Sequence, residues 1–527
     1  MRRATAFELM LYALAFAALF LLARLNLHHP FVGDQAAALM GGKALAAGKR
    51  LYIDFWDNKM PGLFWFYRVA GGLFGFTEEG IHRCEWLWML AFALTMGWWL
   101  RPYFEYPWMA ALAPLATVGM YYAAAEPIDL TQVEILIAFP LFICAWLAAR
   151  LELRGGRLFV AFLLSGMAGG VVVTFKIILG GIAGACWVVA AAHAWFSRRM
   201  TLSDIVLRMA VPAALGLGLV VGVVLLYHWQ QGSLNELLWT AFAYPRQALI
   251  SAPPAPYLRL VQSLLQFFAS YLAWGVLIAL AVTQWWQGER DVLTSMWLAW
   301  LFTAVVLILV QRFSWWSYHF LLLYTPAGLL GLRGAACIPR LLRARGVLSK
   351  RFATLLIVAL VFPPLALTAA PAAGKASLEL DMIARQHGDA GYVRRMLNYP
   401  YSQIEGSVRF LAAKTARPGP IYVFGLPTYY YLSGREPALP ILGWAWQYFL
   451  QSQWVYLPTQ LERALPAYIY IDRDSDKIIA LRGAGVGEYI HAAYLPFATD
   501  YNGTWYQIRP ERWDARHGSA SLPLSGS

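Results

Sequence analysis

Long apolar runs recur along most of this chain, and they limit what it can fold into. A helix needs about 20 predominantly apolar residues to cross a bilayer. The chain is 60% hydrophobic, with a mean hydropathy of +0.51, so such runs predict a polytopic α-helical membrane protein. We place about eleven spans, at residues 7–25, 84–100, 107–124, 132–149, 158–175, 177–196, 206–228, 263–285, 293–311, 318–337 and 352–370.

Basic residues outnumber acidic ones, 42 to 29, a balance that in a soluble protein would suggest nucleic-acid binding. Here the cations near Arg101, Arg150, Arg199 and Arg290, and those within 333–351, fall in alternate loops. Short cytoplasmic loops of membrane proteins carry such an excess of Lys and Arg. We therefore predict a cytoplasmic N-terminus and assign the positive charge to topology and anionic-lipid contact, with no nucleic-acid partner.

The loop between the first two predicted spans, residues 26–83, is rich in charge although the whole chain is only 13% charged. Its ionisable residues include Asp34, Lys43, Lys49, Arg50, Asp54, Asp57 and Lys59. A carboxylate that takes a proton, beside cations that hold an anionic phosphate, suits transfer chemistry at a membrane surface. We interpret the segment as a lipid-facing catalytic loop. The alternative is a surface amphipathic segment that only caps the spans.

The last part of the chain changes character after residue 371. Residues 376–415 have an amphipathic helical pattern, and the runs 421–425 and 468–472 are typical of strands. The segment GTWYQIRP near the C-terminus predicts another strand. We therefore divide the chain into a membrane domain, 1–371, and a small external α/β domain, 372–527.

Several motifs of the first loop are familiar. The run GDQAAALMGGKALAAGKRLYIDFWDNKMPGLFWFYRVAGGLFG resembles the first external loop of the family 39 glycosyltransferases, which include the protein O-mannosyltransferases and the lipid A aminoarabinose transferase. The matching features are Asp34, the run 48–54, and Lys59, Pro61 and Gly62. The segments IYVFGLPTYYYLSGREP and AYIYID are similar to the terminal domain of bacterial members. The resemblance implies the GT-C membrane fold and a polyprenyl-phosphate sugar donor.

Asp34 is the general base that the resemblance implies, close to the anomeric carbon and to the acceptor hydroxyl. The alternative is an N-cap of the helix that follows it. The family often carries two adjacent acids here, whereas this chain has Asp34 and Gln35. A second carboxylate role at this position is therefore not supported.

Two acids in the second external loop, Glu126 and Asp129, are candidates for contact with the acceptor or the sugar. A cap by Asp129 at the start of the next helix is an equally good explanation. Glu134 follows a few residues later, at or inside a span, where a carboxylate is costly unless it faces a cavity or has a partner.

Five basic residues are candidates for binding the carrier phosphate. Lys59 and Lys176 correspond to lysines that the resemblance places near it, and Arg246, Arg312 and His319 are external by topology. For Lys176 the alternative is snorkelling at a tight turn. For the last three residues, simple contact with lipid headgroups explains them equally well.

Asp54 and Asp57 are further candidates for sugar or acceptor binding. They lie three residues apart, so on a helical turn they would share a face. Two carboxylates could contribute to a divalent-metal site but are too few to specify one. The neighbouring charges favour ion pairing with Lys59 or Arg68.

The sequence thus predicts a multi-pass glycosyltransferase of the bacterial inner membrane. It would move a sugar from an undecaprenyl-type phosphate to a lipid, glycan or protein acceptor outside the cytoplasm, with inversion at the anomeric carbon. No cofactor is required by this reading, although a divalent metal is compatible with it. The rival from another class is a transporter or flippase for a lipid-linked anion, which would also place cations in a membrane cavity. Transporters often show internal repeats, and the sequence shows none.

Overall fold

The computed structural model describes residues 5–197, 199–251, 254–288, 290–312, 314–344, 349–367 and 369–517. Its first part is helical, as the apolar runs predict. The α-helices there are α1 (Ala6–Arg24), α2 (Gly33–Ala46), α3 (Pro61–Phe74), α4 (Glu78–Trp99), α5 (Met120–Ala124), α6 (Val133–Leu136), α7 (Ala138–Ala148), α8 (Gly155–Phe175), α9 (Gly180–Phe196), α10 (Leu202–Ile205), α11 (Val211–Gln230), α12 (Leu234–Leu238), α13 (Tyr244–Ser251), α14 (Tyr257–Tyr271), α15 (Gly275–Trp286), α16 (Val292–Val310), α17 (Tyr324–Ala344), α18 (Lys350–Leu367) and α19 (Ala369–Arg385). Short 3-10 or π-helical turns lie at Pro107–Ala111, Leu115–Gly119, Pro127–Asp129, Ile177–Leu179, Val206–Ala210, Trp239–Ala243, Leu272–Trp274 and Ser317–Leu323.

Seven helices in the described part of the chain are long and apolar enough to cross a membrane. They are Ala6–Arg24, Gly155–Phe175, Ile177–Phe196, Leu202–Gln230, Tyr257–Trp286, Val292–Val310 and Ser317–Leu342. A pair of helices, Phe352–Leu367 and Ala370–Arg385, is bent by 50° and adds an eighth span if it crosses as one.

Three other predicted spans are helical but do not reach this length and hydropathy, so the number eleven is not confirmed. The predicted span 84–100 lies in α4, which begins with two glutamates. The predicted span 107–124 changes from 3-10 to π-helical geometry around Pro114, where the pyrrolidine ring removes a backbone donor. Residues Val133–Ala148 form a shorter apolar helix.

Helices α8 and α11 pack through glycines at close range. A Cβ atom on Gly166 would lie 2.1 Å from the carbonyl oxygen of Ala213, and one on Gly216 would lie 2.0 Å from that of Leu163. Small residues let the backbones of membrane helices approach and gain van der Waals contact.

We expect Gly216→Val to destabilise the protein by about 1–3 kcal/mol, because the added side chain forces the two helices apart. Gly218→Val is the matched control: it lies on the same helix, and a Cβ there meets no atom of the described chain within 4 Å. The unfolding midpoint in detergent measures both variants. Equal midpoints would contradict the close packing of α8 on α11.

Helices α2 and α3 form a pair outside the candidate spans, joined by residues 47–60. Phe64 of α3 is fully buried, shares a hydrophobic cluster with Met40 of α2, and lies 5.7 Å from the ring of Phe55 in the connection. This packing brings the connection, which contains Lys59, beside the first turn of α2.

The tail contains a four-stranded sheet with the spatial order β1-β2-β4-β3. Its strands are β1 (Ile421–Phe424), β2 (Tyr468–Asp472), β3 (Tyr494–Thr499) and β4 (Gly503–Ile508). Strands β1 and β2 are parallel, and β4 is antiparallel to both of its neighbours. The helices of the tail are α20 (Ala390–Leu397), α21 (Tyr399–Val408), α22 (Thr428–Ser433), α23 (Gln451–Ala464), α24 (Arg473–Arg482), α25 (Ala484–Ala493) and α26 (Pro510–His517). The predicted strands at 421–425, 468–472 and GTWYQIRP are therefore present.

An ionic network joins the tail to the ends of the first helices. Glu379 of α19 lies 2.7 Å from Nδ1 of His28 and 3.4 Å from Arg24. Arg394 of α20 lies 3.2 Å from Glu79 of α4. Because α19 runs continuously across residue 371, the division into two domains at that point stays a prediction.

Candidate functional site

An ion pair between Asp34 and Lys59 lies where α2 meets the connection to α3. Lys59 Nζ is 2.7 Å from Asp34 Oδ1 and 3.4 Å from Asp57 Oδ1. Asp57 is fully buried and accepts a second hydrogen bond from the Lys59 backbone, at 3.0 Å. One cation is therefore shared by two carboxylates.

Asp34 lies in the first turn of α2, but it does not cap the helix. Val32 occupies the N-cap position, and its backbone N–H donates to the side chain of Gln35 at 2.8 Å. Gln35 is buried and donates to the carbonyls of Pro127 and Leu130. The Gln35 amide thus ties α2 to the segment 127–130, and the Asp34 carboxylate is left for other contacts.

Both members of the pair are held in their charged forms. Burial alone would raise the pKa of Asp34, but the Lys59 ammonium and hydrogen bonds from Lys59 and Tyr318 outweigh it and hold the pKa below its ordinary value. Burial alone would lower the pKa of Lys59, but Asp34 and Asp57 raise it further than burial lowers it. In this state Asp34 is an ionised carboxylate whose basicity is reduced by its partner.

Three successive residues, Ser317, Tyr318 and His319, each contact a different acid. Ser317 Oγ donates to Asp129 Oδ1 at 3.1 Å, and Tyr318 Oη donates to Asp34 Oδ2 at 3.2 Å. His319 Nε2 lies 3.9 Å from Glu134 Oε1. A 3-10 helix, Ser317–Leu323, presents these side chains together.

A second ion pair joins Lys176 to Glu134, with Nζ 2.8 Å from Oε1. Glu134 is only 2% exposed, whereas the Lys176 side chain is 30% exposed. Lys176 breaks the helical path between α8 and α9, where its backbone is extended. A buried carboxylate at a membrane span is costly unless it faces a cavity or has a partner. Glu134 has such a partner in Lys176.

Asp129 is buried, and Glu126 is exposed. Asp129 Oδ2 accepts from the backbone N–H of Glu126 at 3.0 Å, within the 3-10 turn Pro127–Asp129, whereas Gln132 occupies the N-cap position of α6. Its other oxygen accepts from Ser317. Burial raises the pKa of Asp129 to about 6.

Asp54 and Asp57 do not lie on a helical turn, the condition under which they would share a face. The segment between them is not helical, and Asp54 is at the surface in a bidentate pair with Arg50, at 3.0 and 3.1 Å. Asp57 is buried and pairs with Lys59, as the charges of the loop favour. Arg68 instead lies over the ring of Trp65.

Two of the predicted phosphate-binding residues are apart from these contacts. The side chains of Arg246 and Arg312 are exposed. No ion pair found among the described residues links either one to Asp34, Asp57 or Glu134. The cationic groups next to these acids are Lys59, Lys176 and, when protonated, His319.

Sequence reasoning missed three residues that the structure brings to the site. Tyr318 contacts Asp34, Gln447 donates to Asp57 Oδ2 at 2.6 Å, and the ring of Trp444 lies 5.7 Å from Lys59 Nζ. Tyr318 adjoins the candidate His319 in the sequence, which is the one local signal for it. The other two are in the tail, and nothing in their local sequence links them to a loop almost 400 residues earlier.

The described residues do not form a ligand set for a bound metal ion. They contain no group of three or more His, Cys, Asp and Glu residues arranged to hold an ion. The compatibility of Asp54 and Asp57 with a divalent metal therefore receives no support from their geometry.

No protein-family model matches this sequence, and no curated protein matches it. Solved structures do. The crystal structure of ArnT from Cupriavidus metallidurans bound to undecaprenyl phosphate has a TM-score of 0.60 and 15% identity, covering 97% of this chain and 99% of that one. The apo structure of the same protein has a TM-score of 0.60 and 15% identity, covering 96% and 98%. The chain is thus similar in fold to ArnT over almost its whole length, and the predicted polytopic helical membrane fold with a small C-terminal sheet region is confirmed.

Proposed function

We propose that this protein is a membrane glycosyltransferase that uses a sugar linked to undecaprenyl phosphate. The observation that carries the proposal is the Asp34–Lys59 pair, a base and a cation in contact, within a fold shared with an undecaprenyl-phosphate-binding protein. The Lys176–Glu134 pair and the segment 317–319 supply further charged and polar groups. We place the protein in the bacterial inner membrane and the reaction on its external side.

In this mechanism Asp34 accepts the proton of the acceptor hydroxyl as its oxygen attacks the anomeric carbon. The bond from that carbon to the phosphate oxygen breaks, the electron pair leaves with the phosphate, and the configuration inverts. Lys59 and Lys176 compensate the charge on the departing phosphate. The acceptor is a lipid, a glycan or a protein hydroxyl, and Glu126 and Asp129 are candidates for contact with it.

The resting ion pair explains how the base is made ready for the reaction. A bound phosphate competes with Asp34 for Lys59, since both are anionic. When Lys59 turns to the phosphate, the main influence that lowers the Asp34 pKa weakens, and Asp34 becomes a stronger base. Donor binding and base activation are thereby coupled through one lysine.

Sugar transfer in proteoliposomes tests the function. Radiolabelled undecaprenyl-phosphate sugars are supplied with a total lipid, glycan and protein extract, and both transfer of label and movement of lipid-linked sugar across the bilayer are measured. Label on an acceptor supports the transferase and names its acceptor class. Movement across the bilayer without transfer would favour the transporter instead.

We expect Tyr318→Phe to move the acid limb of the pH profile of kcat/KM to higher pH. The Tyr318 hydroxyl donates to Asp34 and helps to lower its pKa, so its loss raises that pKa in the free enzyme. Because the pKa of Asp34 is higher in the variant, its carboxylate is protonated, and therefore inactive as a base, at a higher pH. Tyr227→Phe is the control, because Tyr227 lies on α11 and packs against Trp65. An unchanged acid limb would show that Asp34 does not govern it.

A further inference from the structure

A loop of the tail, Gly443–Gln447, lies over the Asp34–Lys59 pair. The ring of Trp444 is centred 5.7 Å from Lys59 Nζ. The same indole packs against Gly33, the residue before Asp34, where an added Cβ would lie 2.6 Å from Trp444 Cζ2. Trp444 is only partly buried, so some of its surface is open. A ligand that reaches both Asp34 and Lys59 must therefore come close to this ring.

The loop is held in place by contacts with separate parts of the membrane region. Gln447 is buried, and its amide donates to Asp57 Oδ2 at 2.6 Å. Asn58 donates to the carbonyl of Trp446 at 3.3 Å, and Tyr244 donates to that of Gln447 at 2.9 Å. These bonds fix the loop that carries Trp444, and a side chain on a fixed loop loses less conformational freedom when a ligand binds.

We propose that Trp444 is the wall of the donor's sugar subsite, against which the ring of the transferred sugar packs. The inference rests on the proposed function. If Lys59 holds the phosphate and Asp34 takes the acceptor proton, the sugar ring must lie between the two, because its anomeric carbon is bonded to the phosphate and attacked by the acceptor. Trp444 contacts the surroundings of both residues.

The chemistry of an indole suits this role. The face of an aromatic ring is electronegative, and the C–H groups on one face of a sugar ring carry partial positive charge. Small-molecule sites typically combine aromatic walls with a few polar groups that fix orientation. The polyprenyl chain is not the group that Trp444 meets, because the ring lies beside the Lys59 ammonium, which an apolar chain avoids.

The test compares binding of two kinds of lipid to wild type and to Trp444→Ala in detergent. The probes are undecaprenyl phosphate itself and undecaprenyl phosphate carrying a pentose, a hexose or an amino-pentose. We expect the wild type to bind at least one glycosylated lipid more tightly than the bare lipid. Trp444→Ala is expected to lose about tenfold or more in affinity for that glycosylated lipid, with less than about a twofold change for the bare lipid.

Two further variants separate the aromatic face from side-chain bulk. Trp444→Leu keeps apolar volume and is expected to behave like alanine, whereas Trp444→Phe keeps a ring and should retain part of the selectivity. Trp286→Ala is the matched control, since Trp286 is 72% exposed on α15. Unfolding midpoints verify that each variant is folded, and the leucine and phenylalanine variants decide the matter if the alanine variant is not.

Equal losses for both lipids in a folded variant, or no loss for either, would overturn the proposal. So would a wild type that binds no glycosylated probe better than the bare lipid, because the sugar ring would then add no binding energy. If the wild type binds neither bare nor glycosylated undecaprenyl phosphate, that result would contradict the proposed glycosyltransferase function itself.

Discussion

Replacing Asp34 by asparagine is expected to reduce the rate of sugar transfer by about 10²- to 10⁴-fold, the range that a positioned general base contributes. Asparagine keeps the size of the side chain and its contact with Tyr318, but it cannot accept the acceptor proton. Affinity for the donor should not fall, because Lys59 loses a competing carboxylate and is freer to meet the phosphate. Single-turnover transfer and separate donor-binding measurements give the two values.

Asp474→Asn is a suitable control for this experiment. Asp474 also pairs with a lysine, Lys477 at 2.9 Å, but on the exposed surface of α24. Its replacement should leave transfer and binding as they are in the wild type, since an exposed pair contributes little. If Asp34→Asn retains most of the transfer rate, another group is the base and the proposed mechanism fails.

Lys176→Met is expected to have the second-largest effect, on stability as well as on activity. It leaves the Glu134 carboxylate, 2% exposed, without the ammonium at 2.8 Å. Breaking a buried pair in this way costs about 3–5 kcal/mol. We expect about 3 kcal/mol here, because Lys176 is partly exposed and His319 lies 3.9 Å from Glu134 and can compensate in part. The unfolding midpoint measures this loss.

The double variant Glu134→Gln with Lys176→Met separates the structural role from the functional one. With no charge left unpaired, most of the lost stability should return. Affinity for undecaprenyl phosphate should stay low, because the cation that meets the phosphate is still missing. Recovery of both properties would show that Lys176 only neutralises Glu134, and Lys477→Met serves as the control for removal of an exposed lysine.

The membrane helices and the strands of the tail were accessible from the sequence because their signals are local. A run such as 206–228 is apolar whatever surrounds it, and the structure has the span Leu202–Gln230 there. The strand prediction at 468–472 coincides with β2. The number of spans is not confirmed, and Asp54 and Asp57 do not lie on a helical turn. Both depend on breaks and turns that hydropathy does not report.

The partners of the charged residues were less accessible. The sequence indicated Asp34, Lys59 and Lys176 as important but could not show that Lys59 is shared by Asp34 and Asp57, or that Glu134 is the partner of Lys176. The contact from Tyr318 to Asp34 joins residues 284 positions apart. No periodicity or motif spacing encodes a separation of that size.

By itself, the sequence determined that this chain is a multi-pass helical membrane protein with a charged first loop and a small sheet in its tail. Hydrophobic burial acts on each segment through its own composition, so these properties can be read one segment at a time. Only the tertiary structure decided which charges meet and that Trp444 of the tail covers the first turn of α2. Hydrogen bonds and packing contacts need atoms within about 4 Å of each other, and which groups come that close is decided by the whole fold.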